Sequence, residues 1–468
     1  MSRHPLEPTG PEFRSMVEQA LGYLTGFLDG LADAPAAGLG GAEDLADTLR
    51  EEAPPARGSS LEEALAVIRE AVPRAFDTTG PGYLGYIPGG GLPSAALADL
   101  IAGVTNRFTG MWFPAPALVQ LEWNVLRWLG DAFGYPATAG GILTTGGSMA
   151  NLSAIVAARH DRLGEDLATA TLYLTEQTHA SIARAAVVAG IPRRGLRTVP
   201  TTPTLRLDVD ALRDLVKADR DAGRRPFCVV ASAGTVNTGA VDPIGEIGAF
   251  CREEGLWCHV DGAYGGFFQL TERGRAAFSG IGEADSITLD PHKGMFLPYG
   301  TGCLLVRDGT RLREAHAAGE ARYLQDLAHE GPSRNFSDYS PELSRDFRGL
   351  RVWLPLKLHG LEAFRAALDE KLDLARLLHE GVRDAPGVEV PWEPELSIVA
   401  FRHTDGDDAT RRMLERINDS GRVFLSSSVV EGRVVDRAAV LSFRTHRDRI
   451  EEAIGIIREA AAAVRVSR

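Results

Sequence analysis

Apolar residues recur at three- and four-residue steps over 12–31, at Phe13, Val17, Ala20, Leu24, Phe27 and Leu31, which predicts an amphipathic helix. A Pro/Gly-rich stretch follows. Ser60-x-x-Glu63 then has the form of a capping box opening the helix LEEALAVIREAV. Glycine and proline are dense again at 79–93 (TGPGYLGYIPGGGLP), a loop. From about 140 to 306 short apolar runs alternate with helical stretches: ILTT and NLSAIVAAR; TLYL and SIARAAVVA; FCVVAS and IGEIGAFCRE; LWCHV; SITL; CLLV. That alternation predicts a largely parallel sheet covered on both faces. Functional groups of such sheets gather at the carboxyl ends of the strands. After 346 a smaller α/β section is expected, with helices near 361–380 and 408–419, strands at SIVAF, RVFL and AVLSF, and a final helix over 450–464. In the last, Ile450, Ile454, Ile457, Ala461 and Val464 form one apolar stripe, which packing alone explains.

Composition narrows the classes. The 468 residues hold 50 Lys+Arg and 63 Asp+Glu, a net charge of −13, which argues against a general nucleic-acid binder. A hydrophobic content of 44% with 24% charged residues is that of a globular enzyme rather than a disordered chain. No apolar run is long enough to span a membrane, and the opening MSRHPLEPTGPEF does not read as a secretory signal. The four cysteines, Cys228, Cys251, Cys258 and Cys303, form no CxxC pair. Cys228 and Cys303 sit in apolar runs as small core residues, and a reducing cytoplasm is the expected compartment.

Four segments carry candidate chemistry. Lys293, after the run SITL, would leave a buried strand end, where an amine loses solvation and becomes a better nucleophile for a carbonyl. Taken alone, it reads first as a surface lysine in a loop; the signal comes from its company. Asp261 ends the run LWCHV and is followed by Gly262, Ala263, Gly265 and Gly266, small enough to let a flat ring approach. A buried carboxylate there needs a cationic partner, and a protonated pyridine nitrogen is one; a turn-capping Asp is the plain alternative. His259 shares that strand face, but one His/Asp pair is weak ground for a metal, and none is expected. Thr145-Gly146-Gly147-Ser148 joins a strand to a helix, where N–H groups and the helix dipole suit a phosphate; it is neither a Walker loop nor GxGxxG. His179 opens another helix, either as a cap or as a ring stacked on a cofactor. An imine-forming lysine, a carboxylate for a ring nitrogen, a phosphate turn and a stacking imidazole together match one molecule, pyridoxal 5′-phosphate.

These motifs, TEQTHASIARA, HVDGAYGG and LDPHKG, together with LSRDFRGLRVWLPLKLHG, resemble the group II pyridoxal-phosphate-dependent amino-acid decarboxylases. The likeness runs from about residue 80 to the C-terminus. It implies the type I pyridoxal-phosphate fold, with a large, mostly parallel sheet domain and a smaller C-terminal α/β domain. The expected division is a helical segment over 1–80 that clasps a partner subunit, a cofactor domain over 81–345 and a small domain over 346–468. The resemblance makes Lys293 the Schiff-base lysine and pairs Asp261 with the pyridine nitrogen. It stacks His179 on the ring, sets Ala263 beneath it, gives the phosphate to Gly147 and Ser148 with His292 beside it, and puts Thr235 in a ring-side loop.

The implied reaction removes the α-carboxylate of an L-amino acid through a quinonoid, in a homodimer whose active site lies at the interface. Tyr83-Leu84-Gly85-Tyr86-Ile87-Pro88 resembles a substrate strip of the aromatic enzymes, and Phe108, Trp112 and Phe113 could extend it. No arginine or lysine for an acidic side chain stands out, which favours an aromatic or other apolar substrate. Gly294-Met295 follows the lysine where many relatives have Trp. The loop GPSRNFSDYSPELSRDF is expected to close over the substrate and supply a proton donor. Ungapped counting gives Phe336 at that place, and a gap gives Tyr339, the residue preferred here. A phenol there yields the amine; a phenyl ring leaves the carbanion open to oxygen and aldehyde formation. A non-catalytic cofactor-binding scaffold is the alternative from another class.

Overall fold

The computed structural model describes residue 4, residues 6–317 and residues 334–466. Seven strands build the main sheet: β1 (Gly140–Thr144), β2 (Ala170–Thr175), β3 (Leu196–Val199), β4 (Arg225–Ser232), β5 (Trp257–Gly262), β6 (Ser286–Leu289) and β7 (Gly302–Val306). Their spatial order is β1-β7-β6-β5-β4-β2-β3. All run parallel except β7, which lies antiparallel between β1 and β6. The central strands are buried along nearly their whole length because helices cover both faces, so they read as continuous apolar runs. β3 (LRTV), at the sheet edge and only partly buried, lacks that signal and was not anticipated.

The helix Gly147–Leu163 lies across the sheet on a face of small residues, with Ala150, Ala154, Ala157 and Ala158 fully buried. Missing from the expected pattern were helices over Pro93–Thr105, Pro116–Ala132 and Val209–Asp221. A long helix, Arg348–Arg383, takes in the LSRDFRGLRVWLPLKLHG motif and breaks at Gly360, whose φ of 72° is a glycine conformation.

The C-terminal sheet contains β8 (Val388–Glu389), β9 (Ile398–His403), β10 (Ser426–Val430) and β11 (Arg433–Ala439), in the order β10-β11-β9-β8 and all antiparallel. Two expected strands are displaced. RVFL contributes a single bridge, Phe424 to Tyr83, before β10 begins. Of AVLSF only Ala439 belongs to β11; Val440 and Leu441 follow it, fully buried but outside the ladder. Capping boxes close the starts of Gly10–Gly30 (Thr9 and Glu12) and Leu61–Ala71 (Ser60 and Glu63). Neither of these helices buries a side chain within the chain. Among the described residues no helix is long and apolar enough to cross a membrane.

Candidate active site

β1, β4, β5 and β6 end at one cavity of about 290 Å³, at the small end of the ~300–1,000 Å³ usual for ligand sites. Gly147, Ser148, His179, Thr235, Asp261, Ala263, His292 and Lys293 all line it. The convergence follows from topology: each residue sits at or just past the carboxyl end of a parallel strand.

The Thr145–Ser148 turn enters the helix through Gly146, at φ 155° and ψ 172°, a conformation open to glycine. The first N–H groups of this helix have no acceptor within it and point towards the cavity end. A Cβ on Gly147 would come within 2.9 Å of the Asp290 carboxylate and 3.1 Å of the Ala263 methyl, so glycine keeps the cradle open. His292 donates from Nδ1 to the Thr301 carbonyl at 2.7 Å, leaving Nε2 as its other polar atom. Burial, more than any other influence, lowers the His292 pKa.

Lys293 Nζ lies 2.8 Å from Asp290 Oδ2. Asp290 is 2% exposed, and its Oδ1 has no hydrogen-bond partner. Across the cavity Asp261 is buried and accepts from two neutral donors, Asn151 Nδ2 at 3.1 Å and the Ala263 N–H at 3.1 Å. A buried carboxylate met only by neutral donors suits a cationic ligand atom. His179 caps its helix, with Nδ1 accepting from the Ser181 N–H and lying 2.7 Å from Ser181 Oγ, and its ring stands at the cavity. Thr235 is tied by its N–H to the Ala240 carbonyl and lies 3.3 Å, Oγ to Oγ, from Thr238. Among the described residues no cluster of three or more His, Cys, Asp or Glu is arranged for a metal ion.

The second set of expectations fares differently. Tyr339 is away from the cavity: its ring packs 5.3 Å from Trp123, and the Cβ position of Gly140 lies 3.6 Å from it. Gly140 begins β1, whose far end meets the cavity, roughly 13 Å further on at strand rise. Phe336 is fully buried, stacked on Trp123 at 5.0 Å and beneath the Arg345 guanidinium. Within one chain, then, Tyr339 and Phe336 both pack on Trp123, and neither lines the cavity. The start of the same loop, up to Ser333, lies outside the described residues. The strip Tyr83–Pro88 passes beside the site without lining the cavity. Tyr83 stacks on Phe424 at 5.5 Å, whereas Tyr86 and Phe113 are exposed and Trp112 lies under Arg334.

Sequence reasoning missed Asn151, Ser181 and Asp290, which line the cavity, and Arg437 behind its wall. Arg437 is buried and donates to the Val236 carbonyl at 2.6 Å and to Ser426 Oγ at 2.9 Å, tying β11 to the Thr235 loop. Burial pushes its pKa down to about 10. Asp290 had a signal in hand, as the Asp of LDPHKG one helical turn before Lys293.

The cavity thus fits pyridoxal 5′-phosphate by the chemistry of its donors: an amine for the aldehyde, a carboxylate for the ring nitrogen and a helix start for the phosphate. On the type I fold these features define a pyridoxal-phosphate enzyme. Comparison narrows the class. The profile of the pyridoxal-dependent decarboxylase conserved domain matches residues 45–404. The aromatic-L-amino-acid decarboxylase of Bacillus atrophaeus is 33% identical over 99% of this chain and 98% of the relative. Oryza sativa TDC, solved with PLP and tryptamine, superposes with a TM-score of 0.92 at 27% identity, covering 99% of both chains. Rhodiola rosea 4-hydroxyphenylacetaldehyde synthase superposes at 0.88 with 25% identity, covering 98% of this chain and 99% of that one. The chain belongs to the pyridoxal-dependent decarboxylase family. It is a carboxy-lyase of amino-acid metabolism whose cofactor is pyridoxal 5′-phosphate.

Proposed function

We propose that the enzyme removes the α-carboxylate of an aromatic L-amino acid to give CO2 and the amine. The observation that carries this is the placement of Lys293 and Asp261 across one cavity, in a chain 33% identical to an aromatic-L-amino-acid decarboxylase. Bound pyridoxal phosphate supplies a carbonyl that condenses with amines and a ring that takes up the electron pair released with CO2. Lys293 Nζ is the anchoring amine, and Asp290 Oδ2 holds an Nζ proton when that amine is free. Asp261 would accept a hydrogen bond from the ring nitrogen and keep it protonated. His179 and Ala263 would cover the faces of the ring and Thr235 would border it. The N–H groups of Gly147 and Ser148, with His292 Nε2, would hold the phosphate.

Arg437 is bound to loop carbonyls and Ser426, which supports an apolar or aromatic side chain over an acidic one. Three regions divide the labour: 1–80 clasps a second subunit, 81–345 binds cofactor and 346–468 closes the site. A homodimer with the active site at its interface is supported by the apolar faces left open on three helices: Leu21 and Leu24, Val67 and Ile68, and Leu97 and Val104 are all exposed. Four buried, free cysteines support a reducing cytoplasm.

A panel of L-amino acids, with CO2, amine, aldehyde and peroxide all measured, tests the reading. Preference for glutamate over every aromatic overturns the substrate class. Stoichiometric aldehyde and peroxide select the oxygen-dependent route, a second reading favoured by the likeness to the Rhodiola rosea synthase. A colourless protein inert to all of them leaves the scaffold alternative.

A further inference from the structure

His259 lies outside every role assigned above, yet it is fully buried at the centre of a chain of hydrogen bonds reaching two of the site's residues. Trp257 Nε1 donates to Ser286 Oγ at 2.8 Å, and Ser286 Oγ lies 2.8 Å from His259 Nδ1. His259 Nε2 is 3.0 Å from Asn151 Oδ1. Asn151 Nδ2 then divides between Asp261 Oδ2 at 3.1 Å and Ser181 Oγ at 3.0 Å. Ser181 Oγ is 2.7 Å from His179 Nδ1.

The protons in this chain have one consistent order. An ionised Asp261 only accepts, so the Asn151 NH2 must face it and the Asn151 carbonyl must face His259. His259 Nε2 therefore carries hydrogen. Burial pushes the His259 pKa down to about 4, so the ring is neutral near pH 7 and Nδ1 is bare. Nδ1 accepts the Ser286 hydroxyl proton, and that hydroxyl accepts in turn from the indole. At the other end His179 Nδ1 already accepts the Ser181 N–H, so it also takes the Ser181 hydroxyl proton, and hydrogen is left on His179 Nε2.

We propose that Asn151, oriented by His259 and Ser286, is a positioning residue that aims the Asp261 carboxylate at the cofactor's ring nitrogen and, through Ser181, directs the His179 ring so that Nδ1 accepts and Nε2 carries hydrogen. A single side chain thereby orients both groups. Hydrogen on His259 Nδ1 alone would instead leave Nε2 bare, turn the Asn151 amide around and set its carbonyl against Asp261. The proposal rests on the assignment of Asp261 to the ring nitrogen.

Neutron diffraction from deuterated holoenzyme at pH 7 locates the protons directly. Hydrogen on His259 Nε2 alone and on His179 Nε2 alone is the expected result. Hydrogen on His259 Nδ1 with Nε2 bare, or an Asn151 carbonyl facing Asp261, overturns the proposal whatever the variants do. Cofactor dissociation from His259→Leu and His259→Gln supplies the functional arm. Losing an aligned donor behind a charged hydrogen bond should weaken cofactor binding about tenfold in His259→Leu. Gln retains an N–H near the Nε2 position and should stay within about threefold of wild type. Equal affinity in all three proteins contradicts the positioning role. If His259→Leu does not fold, the wild-type neutron map decides alone. A wild-type protein that binds no cofactor at Lys293 sinks the functional reading itself, a result separate from any rearrangement of these protons.

Discussion

Two buried polar clusters flank the main sheet, and they differ in what their charges face. At the carboxyl ends, Asp261 and the Lys293–Asp290 pair look into a cavity, and Asp290 keeps an oxygen without a hydrogen-bond partner. The motif LSRDFRGL builds the second, enclosed cluster around the Leu143 carbonyl of β1. Arg345 and Glu122 meet at 2.7 Å with both side chains fully buried. Arg345 and Arg348 both donate to the Leu143 carbonyl, and the Gly349 N–H donates to Glu122 Oε2. Arg348 also grips Glu342 through two bonds. Buried charge alone therefore does not mark chemistry. The first cluster opens on a cavity, whereas the second is enclosed: Arg345 and Arg348 hold the Leu143 carbonyl of β1, and the cluster anchors the end of the 331–347 loop.

Substitutions should separate the two clusters cleanly. Lys293→Ala should lower CO2 release by about 10⁴-fold or more while leaving the urea unfolding midpoint near wild type. Asp261→Ala should follow, with a loss of about 10²–10³-fold in kcat. Arg345→Ala should do the reverse. Removing one partner of a buried ion pair costs about 3–5 kcal/mol of stability, read by urea denaturation, and the variant that still folds should retain cofactor on Lys293.

Acid supplies a third contrast. His259 has a folded pKa of about 4 against an unfolded value near 6.5, so its contribution is fully present above about pH 6.5 and is lost as pH falls through 4. Denaturation at pH 7 and pH 4.5 should show wild type losing stability relative to His259→Gln at the lower pH, by an amount on the order of 2 kcal/mol. Asp436 behaves oppositely. Burial without a partner raises its pKa to about 8, so the stability it retains when protonated is lost as pH rises through 8. Asp436→Asn should stabilise the protein more at pH 9 than at pH 6. The smallest effect is expected from Tyr339→Phe, less than about twofold in rate with no change of product, because its ring packs on Trp123 at the amino end of β1. A switch from amine to aldehyde in that variant would return Tyr339 to the chemistry.

The sequence made the central sheet and the cavity-lining residues legible for one reason. Fully buried parallel strands leave uninterrupted apolar runs, and the loops at their carboxyl ends follow at once in the chain, so Asp261, His292 and Lys293 announce themselves by position. Helix Val209–Asp221 was hidden by its polar composition, and β3 by its half-exposed edge. Asn151 and Ser286 were hidden for a deeper reason. Nothing in its own element sets either apart, and its meaning comes from a neighbour more than 25 positions away, His259 for both. That Tyr339 packs near Gly140 within the chain could not be read by counting along a loop, which says nothing about where the loop returns to the sheet.

Borohydride reduction of the yellow holoenzyme, followed by peptide mapping, tests the central claim most directly. The cofactor should be fixed to the single peptide containing Asp290-Pro291-His292-Lys293-Gly294, with one equivalent per chain. Cofactor recovered on any other lysine, or none fixed at all, would contradict the account.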